Sequence, residues 1–385
     1  MTRRSLRRPE VPKVSVTELK WRDPPLGDIA LRGGVLRLTL GIGSGLGRRP
    51  GDPEGRFWGL GDRGPNLKIP QAIADYGLTQ LEPLRRVEGA KVLPAPASGP
   101  MLAELQLTGN RVELIRTLPL RMPDGAPVSG RPLPGTPQAE MEPTFDVDGA
   151  PLAPDPAGAD TEAVAVLADG SFWVGEEYGP SLIKVDAQGV VRRRWTPAGT
   201  ALPGAEDLLP ARAAERRMNR GFEGLAASSD GRWLYAAFQS ALVRPGANRR
   251  RSPIWKLDAR TGALAGEFDY AFDAPKSFTA DAAAGPVGPD DLKICELAAV
   301  GHDRLLVLER ISKSARIYRV DLSGGRALAK RLVFSTDTKG GIAPDLEGMV
   351  AMSDRELILA TDNDFGVEGA ETRFYRLTFS ASLGG

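Results

Sequence analysis

The chain is poor in the two residue types on which much enzyme and metal chemistry depends. Among its 385 residues, Cys295 is the single cysteine and His302 the single histidine. One cysteine excludes an intramolecular disulfide and a thiolate metal cluster, and Cys295, set among apolar strand residues, is expected to be a small buried side chain. Because histidine and thiolate ligands are so scarce, zinc and iron are poor candidates for a bound metal.

An excess of one charge and long apolar runs are also missing. The chain has 50 Lys and Arg residues against 49 Asp and Glu residues, for a net charge of +1, which argues against nucleic acid as the main partner. No stretch approaches about 18 uninterrupted apolar residues, so no membrane span is expected. The basic runs within residues 1–12 and 249–251 are predicted to be a flexible tail and a solvated loop. Residues 13–385 are then a single domain.

The sequence also lacks a clear export signal. Arginines near the N-terminus would suit the charged region of such a signal, but Glu-Val-Pro-Lys-Val-Ser follows at residues 10–15, where an apolar core is needed. We therefore expect a cytoplasmic protein if the chain is complete as written, and an exported one if a precursor begins further upstream. A monomer is expected.

What the sequence does contain is a short pattern repeated five times. An acidic or small residue begins an apolar stretch, a turn follows, and a second apolar stretch ends in charged or amide residues. The distance from the opening residue to the closing residue barely changes between copies, which indicates a repeat architecture. The copies span residues 43–63, 160–177, 221–239, 295–310 and 345–364.

Further runs of alternating apolar and polar residues follow each copy, with a turn between them. In the second copy they are residues 181–186 and 190–195, and in the third they are residues 254–258 and 264–268. Alternation of this kind predicts antiparallel strands joined by tight turns. Four strands in each of several repeats predict an all-β fold, a β-propeller of four-stranded blades.

The two ends of the chain predict how the ring of blades closes. The last copy has a third strand at residues 372–379 and no fourth, while residues 13–20 form a strand without a partner nearby in the sequence. Pairing these two strands would complete the last blade and remove an exposed sheet edge. Five blades are visible, and a sixth could lie within residues 64–100 or 270–290.

The opening glutamates are expected to meet, because the first strand of each propeller blade lines the central channel. Clustered carboxylates repel one another unless a cation neutralises them. That cation is either a hard metal ion with oxygen ligands, calcium before magnesium or manganese, or the arginines Arg63 and Arg310. The alternative is that each glutamate only accepts backbone N–H bonds at a blade junction. The opening glutamates are Glu162, Glu223, Glu296 and Glu347.

The closing residues end an antiparallel strand and should reach the same mouth. Asp362 and Asp364 are spaced so that both carboxylates lie on one side of an extended segment, which suits a cation, although a solvated turn uses the same residues. Asp160 and Asp345, two residues before an opening glutamate, are instead predicted to lie in turns. The closing residues are Asp62, Arg63, Glu176, Glu177, Gln239, Glu309, Arg310, Asp362, Asn363 and Asp364.

Serine hydrolase chemistry is not expected. His302 takes a turn position at the opposite end of the inner hairpin from the mouth, whereas a Ser–His–Asp triad needs its histidine beside the nucleophile. Ser44 is flanked by Ile42 and Leu46 where a nucleophile elbow has glycines. Leu46 also breaks the dinucleotide-binding pattern, so residues 41–47 are predicted to be the glycine-rich start of a strand.

The order of these motifs resembles that of a known family. The matching segments are residues 43–46 with 62–66, 162–163 with 176–180, 221–225, and 346–348 with 362–366. Together they are similar to the bacterial phytase-like family, called "esterase-like activity of phytase", over about residues 25–380. The resemblance implies a β-propeller, frequent export to the periplasm, and metal-assisted hydrolysis of phosphate or carboxylic esters.

On this basis we expect a calcium-dependent hydrolase of small-molecule esters. The cation would polarise the ester and lower the pKa of a bound water, with Glu177 as the candidate general base and Arg63 and Arg310 binding anionic oxygens. The candidate metal ligands are Glu162, Glu223, Glu347, Asp62 and Asp362, and the other residues expected at the mouth are Glu176, Gln239, Glu296, Glu309, Asn363 and Asp364.

Two alternatives stay open. A metal-dependent lactonase would open cyclic esters by the same polarisation of the carbonyl group. A non-catalytic propeller, whose central acids are structural, would bind a protein, peptide or glycan and hydrolyse no ester.

Overall fold

The described residues of the computed structural model form an almost entirely β protein. They are residues 13–134, 141–244 and 246–385, and the predicted tail at residues 1–12 lies outside them. Within these ranges, none of the helices combines the length and the apolar character that a membrane crossing requires.

The N-terminal third begins with a single strand and a hairpin. A 3₁₀ helix covers Thr79–Leu84. The other elements are β1 (Val14–Leu19), β2 (Pro25–Leu31), β3 (Gly34–Thr39), β4 (Gly45–Gly47), β5 (Arg56–Leu60), β6 (Leu67–Lys68), α1 (Ile69–Tyr76), β7 (Lys91–Val92), β8 (Met101–Thr108), β9 (Arg111–Pro119) and β10 (Thr144–Phe145).

The remainder is a succession of antiparallel strands. They and one helix are β11 (Thr161–Val166), β12 (Phe172–Glu176), β13 (Ser181–Val185), β14 (Val191–Pro197), β15 (Glu206–Leu209), β16 (Phe222–Ala227), β17 (Trp233–Phe238), β18 (Arg251–Asp258), β19 (Leu264–Ala271), α2 (Thr279–Ala284), β20 (Lys293–Gly301), β21 (Arg304–Arg310), β22 (Ala315–Asp321), β23 (Lys330–Ser335), β24 (Leu346–Ser353), β25 (Glu356–Thr361) and β26 (Phe374–Phe379). Short 3₁₀ helices cover Ala211–Glu215, Pro275–Ser277, Pro289–Asp291, Leu322–Gly324 and Asp364–Gly369.

Most strands belong to five sheets of four or five strands each. Neighbouring strands are antiparallel, except that β15 runs parallel to β14. This all-β, propeller-type arrangement agrees with the predicted fold class. The strand orders are β4-β5-β8-β9, β11-β12-β13-β14-β15, β16-β17-β18-β19, β20-β21-β22-β23 and β1-β26-β25-β24.

The first strands of the five sheets surround a common channel. Strands β4, β11, β16, β20 and β24 contact one another in chain order, and β24 also contacts β4. All five line one cavity of about 240 Å³, whose walls include Val164, Leu225 and Met349. The closeness of the first and last sheets explains a glycine: a Cβ on Gly43 would lie 2.1 Å from the carbonyl oxygen of Thr361.

Strand β1 pairs antiparallel with β26, as the sequence predicts. The register runs from Val14 opposite Phe379 to Leu19 opposite Phe374. Leu19 and Phe374 are both buried in one hydrophobic cluster that also contains residues of the first sheet. The N-terminal strand is therefore part of the last sheet, and its backbone covers the edge that β26 would otherwise expose.

The two segments considered for a sixth blade have other structures. Residues 64–100 contain α1, a 3₁₀ helix and the short strands β6 and β7, which form a three-stranded sheet with β10. Residues 270–290 contain the end of β19, α2 and short 3₁₀ helices. Neither segment supplies four consecutive strands within the described part of the chain.

Candidate functional site at the acidic mouth

A β-bulge near the start of the first strand recurs in four of the five sheets. At each bulge one residue is left without a partner across the ladder, and this re-aims its side chain. Ser44 takes the corresponding place in the first sheet, because Gly43 and Gly45 on either side both pair with Leu60. We call these residues the bulge ring: Ser44, Glu162, Glu223, Cys295 and Glu347.

The bulge ring corrects two expectations. In the fourth sheet the bulge falls on Cys295, not on Glu296. Glu296 is fully buried and accepts hydrogen bonds from the backbone N–H groups of Leu46 at 3.0 Å and Leu297 at 2.9 Å. It therefore links the first strands of separate sheets, as in the structural alternative. Cys295 is buried as expected, but it occupies a mouth position and accepts a hydrogen bond from Arg310 at 3.0 Å.

The closing residues divide into two groups because side chains alternate along a strand. In four sheets, the residue before the bulge pairs with a residue of the second strand, and the residue that follows this partner lies beside the bulge ring. In the first sheet Asp62, two residues after Leu60, lies there. Gln239 donates to the carboxylate of Glu223, and Arg310 donates to that of Glu347. We call this group the closing ring: Asp62, Glu177, Gln239, Arg310 and Asp362.

Glu176 and Glu309 each stand one residue earlier and belong to other networks. Glu176 accepts from the backbone N–H of Tyr178 at 2.7 Å and from the Ser181 hydroxyl at 3.0 Å. Glu309 accepts from Tyr270 at 2.5 Å and pairs with Lys330 at 2.6 Å. Both carboxylates are fully buried among these partners, and Glu176 also accepts from the backbone N–H of Asp160 at 3.3 Å.

Two more closing residues from the last sheet also have separate positions. The Asn363 side chain is buried, donates to the carbonyl oxygen of Leu40 at 3.0 Å and accepts from Phe365 N–H at 3.0 Å. Asp364 is exposed, although its charge contributes to the raised pKa of Asp362. Asn363 therefore holds the chain in place, and Asp364 lies at the outer edge of the mouth.

The densest group of acids joins the first and second sheets. One carboxylate oxygen from each of Asp62, Asp160 and Glu162 lies within 4.8 Å of the others. Burial and the charge of Asp160 raise the pKa values of Asp62 and Glu162 well above their usual range. Burial, Asp160 and Glu223 do the same to the pKa of Glu177. We call these four residues the acidic cluster: Asp62, Asp160, Glu162 and Glu177.

Asp160 is the member of this cluster that the sequence predicts to lie in a turn. It is fully buried. Its repeated position, two residues before a bulge, is the feature of the sequence that could have identified it as a residue of the mouth. In the fifth sheet the same position holds Asp345, and in the fourth sheet it holds Lys293. Asp345 pairs with Arg310 at 2.9 Å, so this position contributes charge to the mouth in three sheets.

Arg63 is committed to neighbouring acids. Its Nη1 atom lies 2.8 Å from both Glu142 and Asp160 and donates to the hydroxyl of Tyr178 at 2.9 Å. Burial lowers the pKa of Arg63, but these anionic neighbours outweigh it and hold that pKa well above its usual value. Glu142 has no counterpart in the repeated pattern, so periodicity gave no indication of it.

The third, fourth and fifth sheets supply a more mixed part of the mouth. Burial, together with the nearby charge of Glu347, raises the pKa of Glu223 to about 7. Burial likewise raises the pKa of Glu347, and Arg310 opposes the shift. Asp362 connects the two parts, because burial and the charges of Glu347 and Asp62 raise its pKa well above the usual range. The acids of the mouth thus affect one another around the whole ring.

The donor atoms of the acidic cluster suit a hard cation. All are carboxylate oxygens, which calcium prefers. Asp160 Oδ2 and Glu177 Oε2 are buried and accept no hydrogen bond from the described residues, although Arg63 lies near the former. Of the five metal ligands expected from the sequence, Asp62 and Glu162 lie in this cluster, while Glu223, Glu347 and Asp362 lie elsewhere around the mouth.

Comparison with known proteins gives one family. The model of the phytase-like family, described as "esterase-like activity of phytase", matches residues 39–365. A protein of Arthroderma benhamiae described as an uncharacterized secreted protein is 30% identical over 264 residues, which are 59% of this chain and 46% of the relative. The chain thus spans about half the length of the curated relative that it matches.

Solved structures resemble the chain only distantly. The major allergen Mala s 1 of Malassezia sympodialis has a TM-score of 0.41 at 10% identity, covering 95% of this chain and 96% of the allergen. The aldose sugar dehydrogenase of Streptomyces coelicolor has a TM-score of 0.39 at 13% identity, covering 96% and 99%. Likeness at this level carries no argument about ligand or reaction.

Proposed function

The chain belongs to the phytase-like family, and from that premise we propose that it is a metal-assisted hydrolase of phosphate or carboxylic esters. Its site would be the acidic mouth, at the end of the channel where the five first strands begin. The five large sheets would be the blades of a five-bladed propeller that β1 closes. The observation that supports this site most directly is the group of three carboxylates within 4.8 Å, formed by Asp62, Asp160 and Glu162.

Calcium is the proposed cation, and Asp62, Asp160 and Glu162 would hold it. Oxygen-only ligands on several separate segments suit the flexible coordination of calcium better than the strict octahedron of magnesium. Such an ion, when bound, polarises an ester and lowers the pKa of a coordinated water. Arg63 would position Asp160, because its guanidinium group already pairs with that carboxylate at 2.8 Å.

Glu177 is the proposed general base. It is buried beside the acidic cluster, and its Oε2 atom has no hydrogen-bond donor among the described residues. A carboxyl group whose pKa is raised by burial and by Asp160 is a stronger base than an ordinary glutamate, which suits proton transfer near neutral pH. Glu177 can therefore accept a proton at an oxygen atom that receives no hydrogen bond from the described part of the chain.

A panel of esters tests the proposal. The purified protein would be analysed for metal and assayed on phosphate monoesters, carboxylic esters and sugar lactones, with EGTA and after adding calcium back. We expect bound calcium, hydrolysis that EGTA abolishes, and recovery with calcium. Hydrolysis of lactones alone would show that the protein is a lactonase and not a hydrolase of linear esters. Absence of turnover with calcium, magnesium and manganese would contradict the hydrolase.

A non-catalytic binding module is the second candidate. It is favoured by the ion pairs that Arg63 makes with Asp160 and Arg310 makes with Glu347, because they neutralise acids of the mouth without any ligand. In that case Glu177→Gln would leave every assay unchanged, whereas the hydrolase loses turnover in the same variant and keeps its bound calcium.

A further inference from the structure

Two cations at the mouth make no ion pair with any of the described residues. The Nη1 atom of Arg220 is buried and has no hydrogen-bond partner among the described residues. The ammonium group of Lys293 likewise makes no ion pair or hydrogen bond within the described part of the chain. A buried cationic donor without a hydrogen-bond partner is costly, so the Nη1 atom of Arg220 is suited to an anion supplied from outside. Lys293 is half-buried and can supply a second positive charge to the same anion.

Both cations lie against the same part of the bulge ring. Arg220 immediately precedes the turn into β16, and the charges of Glu223, Glu177 and Cys295 all act on its pKa, which burial lowers. Lys293 begins β20 opposite Arg310. Burial raises the pKa values of Glu223 and Glu347, and the charge of Lys293 opposes that rise. Arg220 and Lys293 therefore approach Glu223 from two consecutive sheets.

The other two arginines of the mouth are already occupied. Arg63 lies 2.8 Å from both Glu142 and Asp160, and Arg310 pairs with Asp345 and Glu347. Using either arginine for a substrate anion would leave a buried carboxylate uncompensated, which is strongly unfavourable. The anion-binding role expected for Arg63 and Arg310 from the sequence therefore fits them poorly.

The sheets thus divide the mouth by charge. The first two sheets supply the acidic cluster, while the third and fourth supply one glutamate, Glu223, together with Arg220, Gln239, Lys293 and Arg310. A substrate that bridges the two parts must present an electron-rich group to a cation on the acidic side and a negative group to Arg220 and Lys293. A phosphate or a carboxylate meets the second requirement, because each accepts charge-assisted hydrogen bonds from both side chains.

We propose that Arg220 and Lys293 form an oxyanion subsite, so that the protein acts on esters that carry a phosphate or carboxylate group. This deepens the proposed function and rests on it for the reaction, but anion binding at the subsite is measurable without turnover. The negative group would be held on the side of the third and fourth sheets while the scissile ester faces Glu177.

Calorimetric titration tests the subsite directly. Inorganic phosphate and, separately, acetate are titrated into the full chain in the presence of EGTA, so that phosphate captured by a divalent cation does not contribute. The variants are Arg220→Gln, Lys293→Gln and Lys293→Arg, with Arg232→Gln as the matched control. Arg232 is exposed at a turn and stacks on Trp233 at 4.6 Å. Thermal melts verify that the variants fold. Replacing Arg220 or Lys293 breaks no ion pair between described residues.

We expect phosphate to bind the wild type and the Arg232→Gln variant alike, roughly tenfold more weakly to Arg220→Gln and Lys293→Gln, and with nearly full affinity to Lys293→Arg. Equal affinity in all variants, or no binding to the wild type, would overturn the subsite whatever the ester assays give. Preference for phosphate over acetate would assign a phosphoester, and the reverse preference a carboxylate-bearing ester.

Turnover separates the two proposals. If the protein hydrolyses neutral and anionic esters, Lys293→Gln should lower kcat/KM about tenfold more for the anionic ester than for the neutral ester. Equal losses on both esters would contradict a subsite for the anionic group. Phosphate binding that depends on Lys293 without any ester hydrolysis would sustain the subsite and reject the hydrolase.

Discussion

Arg63 and Asp160 form a buried ion pair, with Nη1 and Oδ2 at 2.8 Å and side-chain exposures of 6% and 1%. Arg63 follows the end of β5, and Asp160 immediately precedes β11, so the pair joins the first and second sheets at the mouth. It also fixes one carboxylate of the acidic cluster. A change to either residue should therefore affect both the stability of the junction between the two sheets and the charge of the proposed metal site.

Removing the arginine should destabilise the protein strongly. In Arg63→Met, Asp160 and Glu142 lose their shared cation while remaining buried, and breaking a buried pair in this way costs about 3 to 5 kcal/mol. Denaturant unfolding at pH 7 in EGTA measures the change. Added calcium should recover part of the loss, because a ligand that binds only the folded state stabilises it.

The control for this variant is an arginine in an exposed pair. Arg85 pairs with Glu82 at 2.8 Å, with side-chain exposures of 45% and 50%, and solvent screens such pairs. Arg85→Met should leave the unfolding midpoint nearly unchanged. If Arg63→Met were as stable as Arg85→Met, the buried pair would have no part in holding the two sheets together.

Replacing Asp160 should remove the proposed metal site. Asp160→Asn takes one charge from the acidic cluster, and we expect calcium affinity to fall at least tenfold in a calorimetric titration. Asp345→Asn is the matched control, because Asp345 has the corresponding position in the fifth sheet but pairs with Arg310 at 2.9 Å. Calcium binding that is equal in both variants would move the metal away from the acidic cluster.

The repeated pattern was sufficient to predict the sheets and the meeting of the acids, because periodicity depends on local alternation and turn residues. It failed at Glu296 for a specific reason. A bulge shifts the register by one residue, and in the fourth sheet it falls on Cys295. The sequence pattern instead places Glu296 in line with the opening glutamates of the other copies. Alternation likewise turned Glu176 and Glu309 away from the mouth, since each stands next to the residue that faces it.

Contacts between distant segments were beyond the reach of periodicity. Glu142 pairs with Arg63 across 79 positions of the chain, and no repeat contains it. The anionic partners of Arg63 and Arg310 decide whether those arginines are available to a ligand, so the sequence could place them at the mouth but could not assign their role. Lys293 and Arg220 lacked a signal because they resemble any other solvated basic residue.

Deleting residues 1–20 should lower the melting temperature sharply and reduce solubility. The deletion removes β1, which pairs with β26 over six residues, and exposes a sheet edge that favours aggregation. Deleting only residues 1–12 is the control, since it leaves Val14–Leu19 intact and should preserve the melting curve. Identical curves for both deletions would contradict the role of β1 in closing the last sheet.

The Glu223 carboxyl group should make stability fall as pH rises. Its folded-state pKa is about 7, against 4.5 for an ordinary glutamate, so between these values the folded protein retains a proton that the unfolded chain has lost. The contribution is fully present below about pH 4.5 and is lost as pH rises through 7, on the order of 3 kcal/mol.

The unfolding free energy of the wild type minus that of Glu223→Gln, measured from pH 4.5 to 8, isolates this contribution from that of the neighbouring acids. The difference should decline across the interval and become flat above about pH 8, because both states then carry the charge. Glu113→Gln, at an exposed position of β9, should parallel the wild type. A difference that rises with pH would mean that cations such as Lys293 outweigh burial, and Glu223 would then be charged at the mouth throughout this range.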